Sequence, residues 1–112
     1  MGTRNSVYGD HLGVWLLGRF RVQVGDREIG DDAWPLRKAK LLFMFLALAP
    51  GHRLHREYVT EMLWPELQPS SASNLFRQAL YHARRTLAPH PAPSDVYLRL
   101  AGSYVELVSP VS

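Results

Sequence analysis

Residues 70–88 run Ser-Ser-Ala-Ser-Asn-Leu-Phe-Arg-Gln-Ala-Leu-Tyr-His-Ala-Arg-Arg-Thr-Leu-Ala, fenced by Pro65 and Pro69 on one side and by Pro89, Pro91 and Pro93 on the other. Proline has no N–H for a helix interior and restricts the residue before it, so these fences bound where a helix can begin and end. At about 100° per residue, Ala72, Phe76, Ala79, Leu80, Ala83 and Leu87 fall in one arc. Asn74, Arg77, Gln78, Tyr81 and Arg85 fall in the opposite arc, with Arg84 at its edge. The pattern predicts an amphipathic helix reaching Leu87, with Ser70 or Ser71 as its N-cap. A long apolar face of this kind needs a second layer to bury it, which the rest of the chain must supply.

The remaining sequence changes period twice. Pro35 suits a first helical turn, because its missing N–H costs nothing there. Leu36, Ala39, Leu42, Phe43, Leu46 and Ala47 then recur at three and four residues, a buried stripe closed by Pro50-Gly51. A shorter helix over positions 55–63 turns Val59, Met62 and Leu63 inward. Toward the start, Phe20, Val22 and Val24 alternate with Arg21 and Gln23, Gly25-Asp26 turns, and Arg27-Glu28-Ile29 returns. With the apolar run Val14-Trp15-Leu16-Leu17, that makes a small antiparallel sheet. Toward the end, Val96, Leu98 and Leu100 alternate with Tyr97 and Arg99, Gly102-Ser103 turns, and Val105 and Leu107 complete a hairpin. The expected fold is α+β, with an N-terminal antiparallel sheet, a three-helix core and a C-terminal β-hairpin. It occupies residues 12–109 as one domain, with residues 1–11 a loose arm and 110–112 a tail. Of Trp15, Trp34 and Trp64, the last is expected to be the most exposed.

A chain of 112 residues can bury a core of its own. It has no cysteine, which excludes disulfides, thiolate metal sites and a cysteine nucleophile. The longest apolar run, residues 41–49, is too short to span a bilayer, and the first residues hold no secretory h-region. A soluble cytoplasmic protein is expected. The net charge of +3 is unevenly distributed. Residues 1–35 hold four bases and five acids, residues 89–112 one base and two acids, and residues 36–88 eight bases and three acids. The positive charge is therefore a patch on the helical middle.

Within that patch, helix 70–87 has three arginines and no acid. Solvated helix faces ordinarily mix Glu with Lys for local pairing. Here the polar arc combines arginine, whose planar fork matches guanine, with Asn74 and Gln78, whose amides match adenine, and with the Tyr81 phenol. These are the groups that read base edges in the major groove. The helices ahead of it begin with bases: Arg37, Lys38 and Lys40 open one, His55 and Arg56 the next. Together with free N–H groups at helix starts, and with Ser70 and Ser71, they are candidate phosphate contacts. Two helices joined by a short turn, the second basic, followed by a hairpin, have the layout of a winged helix-turn-helix.

The sequence resembles the OmpR-type winged helix-turn-helix domain, and most closely the DNA-binding domain of the actinobacterial antibiotic-regulatory (SARP) activators. The matching pieces are Leu16-Leu17-Gly18-x-Phe20-x-Val22, Arg37-Lys38-Ala39-Lys40-Leu41-Leu42, Leu48-Ala49-Pro50-Gly51-His52-Arg53-Leu54, Leu63-Trp64-Pro65 and Ala72-x-Asn74-Leu75-x-Arg77-Gln78-Ala79-Leu80-x-x-Ala83-Arg84-Arg85-x-Leu87. They cover residues 14–108 when the flanking strands are included. The resemblance implies that helix 70–87 is a recognition helix and the terminal hairpin a wing, with Arg99, Ser103 and Tyr104 as its candidate contacts. It implies that the loop carrying Trp64, Glu66, Leu67 and Gln68 faces RNA polymerase holoenzyme, and that copies bind tandem direct repeats of DNA as a head-to-tail pair. Two departures stand out. Regulators of this type usually continue into a large helical activation domain, so the chain is expected to be an excised domain or a stand-alone regulator. The wing is also poor in charge, with Leu100 just ahead of the tip where a basic residue is common and Arg99 one step earlier.

Other constellations carry less. His52 and His55 stand three apart, yet no third ligand completes a metal site, and His11, His82 and His90 are scattered. Asp31-Asp32 falls in an exposed turn. No nucleophile elbow, phosphate-cradling glycine loop or zinc-protease helix occurs, so neither an enzyme nor a cofactor is expected. The expectation is sequence-specific binding of double-stranded DNA by a bacterial transcriptional activator. A protein-interaction or regulatory module that uses the 64–70 loop and binds little DNA is the alternative. Double-stranded RNA suits a groove-reading helix less well than DNA does.

Overall fold

Three strands, three helices with one short strand between the first two, and a closing strand pair follow one another along residues 12–15, 20–88 and 97–108, the residues described by this computed structural model. Strands β1 (Leu12–Trp15), β2 (Arg21–Val24) and β3 (Arg27–Ile29) form an antiparallel sheet in that order. Val14 pairs with Val22 and Val22 with Ile29, and Val22, Val24 and Ile29 are buried. Helices α1 (Arg37–Leu48), α2 (Arg56–Leu63) and α3 (Pro69–Leu87) follow, with β4 (Arg53–His55) between the first two. Strands β5 (Leu98–Ala101) and β6 (Tyr104–Leu107) complete a second antiparallel sheet, ordered β4-β6-β5. The described residues thus form an α+β fold of three helices and two small antiparallel sheets. In both hairpins the first of two loop residues is a glycine with positive φ, Gly25 at +60° and Gly102 at +63°. Neither following residue has positive φ, which is the pattern of a type II′ turn and needs glycine first.

The core runs through all of these layers. Ala39, Leu42, Phe43 and Leu46 on α1, Val59 and Leu63 on α2, and the apolar arc of α3 are buried together with Leu98, Val105 and Leu107 of the second sheet. The first sheet joins through three rings: Trp34 lies 5.5 Å from Phe43, and Phe20 lies 6.0 and 6.2 Å from Trp34 and Phe43. Tilted aromatic pairs of this kind add to the area they bury.

Several expectations need correction. Strand β4 was not expected: it pairs Arg53 with Glu106, Leu54 with Val105 and His55 with Tyr104, so the terminal hairpin belongs to a three-stranded sheet. Three residues are too few to display a period of two. Pro35 stands outside α1, because Leu36 is extended (φ −125°, ψ 131°) and serves as the N-cap. Neither Ser70 nor Ser71 caps α3; the helix begins at Pro69, with Gln68 at the N-cap position and no side-chain cap. Trp64 is buried, only 8% exposed. Tyr97 is buried beside Leu98, since it precedes the strand and escapes the alternation. Helix α1 is apolar on its outer side as well, where Leu48 is 66% exposed. The expected arm 1–11, connector 89–93 and tail 110–112 lie outside the described residues, as do positions 16–19 of the opening apolar run. No helix among the described residues is long and apolar enough to cross a membrane.

Candidate nucleic-acid interface

The geometry of α3 follows from its sequence. Ala72, Phe76, Ala79, Leu80, Ala83 and Leu87 are buried against α1, α2 and β5. Asn74, Arg77, Gln78, Tyr81 and Arg85 are exposed on the other side, and Tyr81 keeps 54% of its surface in solvent. Among the described residues Arg77 has no hydrogen bond or ion pair, so its fork is uncommitted. Arg85 lies one turn from Tyr81, its guanidinium 5.8 Å from the ring centroid and its Nη1 3.4 Å from the phenol oxygen. At the start of the helix, Pro69 has no N–H, and the N–H groups of Ser70 and Ser71 have no carbonyl a turn earlier in the helix. Both serines are exposed.

Arg84 differs from its neighbours. It is half-buried, and its Nε donates to the Leu98 carbonyl at 3.1 Å, tying α3 to β5. It belongs to the joint between helix and hairpin rather than to the outer arc.

The bases at the helix starts divide in the same way. Arg37 is exposed at the first turn of α1. Lys38 donates from Nζ to the Leu63 carbonyl at the end of α2 and lies 5.7 Å from the Trp64 ring centroid. Lys40 pairs with Asp31 at 2.6 Å. His55 accepts the Glu57 N–H at its Nδ1, and its ring meets Tyr104 edge-on at 5.3 Å. The Arg56 guanidinium lies 5.2 Å from the Phe76 ring centroid, and the Arg56 N–H donates to the Ser103 carbonyl at 2.8 Å. The Arg56 and Glu57 N–H groups at the start of α2 thus have partners within the chain, contrary to the expectation that they are free for phosphate. Arg37, Ser70 and Ser71 remain outward.

On the terminal hairpin, Arg99 bonds Glu106 through its Nε (3.0 Å), and Arg53 approaches the same carboxylate at 3.7 Å. Arg53 also covers the Tyr104 ring at 4.0 Å, while Ser103 and Tyr104 are exposed at the turn. The sequence reading missed Arg53, because the three-residue strand it sits on leaves no local signal that would have found it. His52 lies with Nδ1 3.2 Å from the Leu46 carbonyl, so both spaced histidines have partners within the chain.

Between α2 and the start of α3 a groove is lined by Glu57, Glu61, Trp64, Pro65, Leu67 and Ala72, among others. Glu66, Leu67 and Gln68 are exposed along the loop above it. All three acids of residues 36–88 therefore lie on α2 and this loop, and none on α3. The helical middle is polarised, with acids on α2 and the loop after it and the uncommitted Arg77 on α3. No protein-family model, curated protein or solved structure matches the chain.

Proposed function

We propose that the chain binds double-stranded DNA sequence-specifically, as the winged helix-turn-helix domain of a bacterial transcriptional regulator. The observation that carries this reading is the outer arc of α3: Asn74, Arg77, Gln78, Tyr81 and Arg85 exposed together on a helix with no acid. An α-helix fits the major groove of B-DNA, and these side chains suit the donor and acceptor patterns of guanine and adenine. Ser70, Ser71 and Arg37 supply phosphate contacts that set register. The terminal hairpin acts as the wing, with Ser103 and Tyr104 at its tip and Arg53 behind them. A binding role without catalysis, in the cytoplasm at the nucleoid, follows, and tandem sites filled head to tail suit a single-helix reader of this size.

The test is a titration of duplex DNA, enriched from a random pool by the protein itself, at two salt concentrations. Arg77→Ala is expected to lose about 1–3 kcal/mol of binding and to relax preference at one base position. Equal binding by Arg77→Ala and the parent would remove α3 from the interface. A second reading draws on the groove beside α2, whose Glu57, Glu61, Trp64 and Leu67 suit a protein partner such as RNA polymerase. Absence of salt-dependent DNA retention would favour a protein-interaction or regulatory module.

A further inference from the structure

The C-terminal end of α3 is held by a residue from the far end of the domain. Arg27 opens β3, directly after the Gly25-Asp26 turn. Its Nη1 donates to the Thr86 carbonyl at 3.3 Å and its Nη2 to the Leu87 carbonyl. The last four carbonyls of a helix have no partner within it, and a guanidinium can serve two of them at once. Its charge also complements the negative end of the helix dipole. The nearby arginines are turned elsewhere, Arg84 to Leu98 and Arg85 to Tyr81. The first sheet therefore grips the last turn of α3 through one side chain, and that turn displays Arg85.

We propose that Arg27 is a positioning residue for DNA recognition, fixing the last turns of α3, and with them Tyr81 and Arg85, without contacting DNA. The proposal rests on the DNA reading above and adds an asymmetry. Loss of Arg27 loosens the Tyr81–Arg85 end of the helix and leaves the Asn74–Arg77 end in place. It removes no phosphate contact.

The experiment uses the whole chain and the duplex that the parent protein enriches from a random pool. Arg27→Gln is expected to weaken binding roughly two- to fivefold, the worth of a cation at a helix end. The slope of affinity against salt stays at the parent value, and base preference relaxes only at the positions that Arg85→Ala also relaxes. Arg27→Lys recovers part of the loss, because an ammonium still serves one carbonyl. Parent affinity and preferences in Arg27→Gln overturn the proposal. So does a salt slope reduced by about one, the mark of a lost phosphate contact, and so does a loss spread evenly along the site. If Arg27→Gln folds poorly, amide exchange of free Arg27→Lys decides: faster exchange confined to residues 84–88 supports the grip, and unchanged exchange there overturns it. A parent protein that enriches no duplex removes the DNA reading itself, and the positioning role with it, whatever the exchange data show about the helix end.

Discussion

Lys38 is the residue for which a charge pattern and a folded structure give opposite accounts, and replacing it with methionine separates them. Methionine keeps most of the apolar stem and removes the ammonium. The structure then predicts the loss of a charged donor to the Leu63 carbonyl and of a cation 5.7 Å from the Trp64 ring centroid. A hydrogen bond to a charged group contributes about 1.5–3 kcal/mol, and a partly exposed cation–π contact about 0.5–1 kcal/mol. Lys38 is half-buried, so the low end applies to both, and the expected destabilisation is about 1.5–2.5 kcal/mol. For a domain of this size that lowers Tm by roughly 5–15 °C. Urea denaturation followed by tryptophan fluorescence measures it, and Lys38→Arg should retain most of the stability. Binding to enriched duplex DNA should keep the parent salt slope. Stability within about 0.5 kcal/mol of the parent, joined to a slope reduced by about one, would refute the reasoning and return Lys38 to the phosphate backbone.

Three further outcomes follow from the same structure. Phe43 is fully buried between Trp34 and Phe20, so Phe43→Ala should cost about 3–5 kcal/mol in chemical denaturation and alter the near-ultraviolet signal of Trp34. At Gly51, with φ +66°, an added Cβ would meet no atom within 4 Å. Gly51→Ala should therefore cost about 1–2 kcal/mol from backbone conformation alone, read as a lowered Tm with unchanged far-ultraviolet dichroism. Glu106 sits between Arg53 and Arg99 on neighbouring strands. Glu106→Gln should cost about 0.5–1 kcal/mol at low salt, and the difference from the parent should shrink in 1 M salt, where screening acts within about 3 Å.

The helices were legible because period and punctuation agree in them. The α3 arc, fenced by proline, could be divided into buried and exposed residues from sequence alone, and every outer-arc residue from Asn74 to Arg85 is exposed. Strand β4 was not legible, because what makes Arg53–His55 a strand is its partner on β6, far along the chain. The same limit explains the charged residues. Sequence places Lys38, Lys40 and Arg56 at helix starts, where a base suits phosphate, and Arg84 at the edge of the arc that reads as facing the major groove. Their committed partners, Leu63, Asp31, Phe76 and Leu98, come from other elements and leave no local trace. Trp64 was misjudged for that reason too, since Lys38 on α1 lies against its ring. Arg27, which sequence reads only as the start of a returning strand, acquires its role from the distant end of α3.

The pairing of β4 with β6 has a consequence for how the chain is made. Arg53 and Glu106 stand opposite one another although about fifty positions separate them. All three helices leave the ribosome before β6 does, yet Val105 and Leu107 of that strand are buried among them, and Ser103 supplies the acceptor for the Arg56 N–H. Until those last residues emerge, the helical middle lacks one wall and α2 lacks its leading bond. Closing so long a loop is a slow step in a small domain, and contacts formed earlier do not replace it. Completion of the domain therefore waits on β6, the last of its described strands to be made.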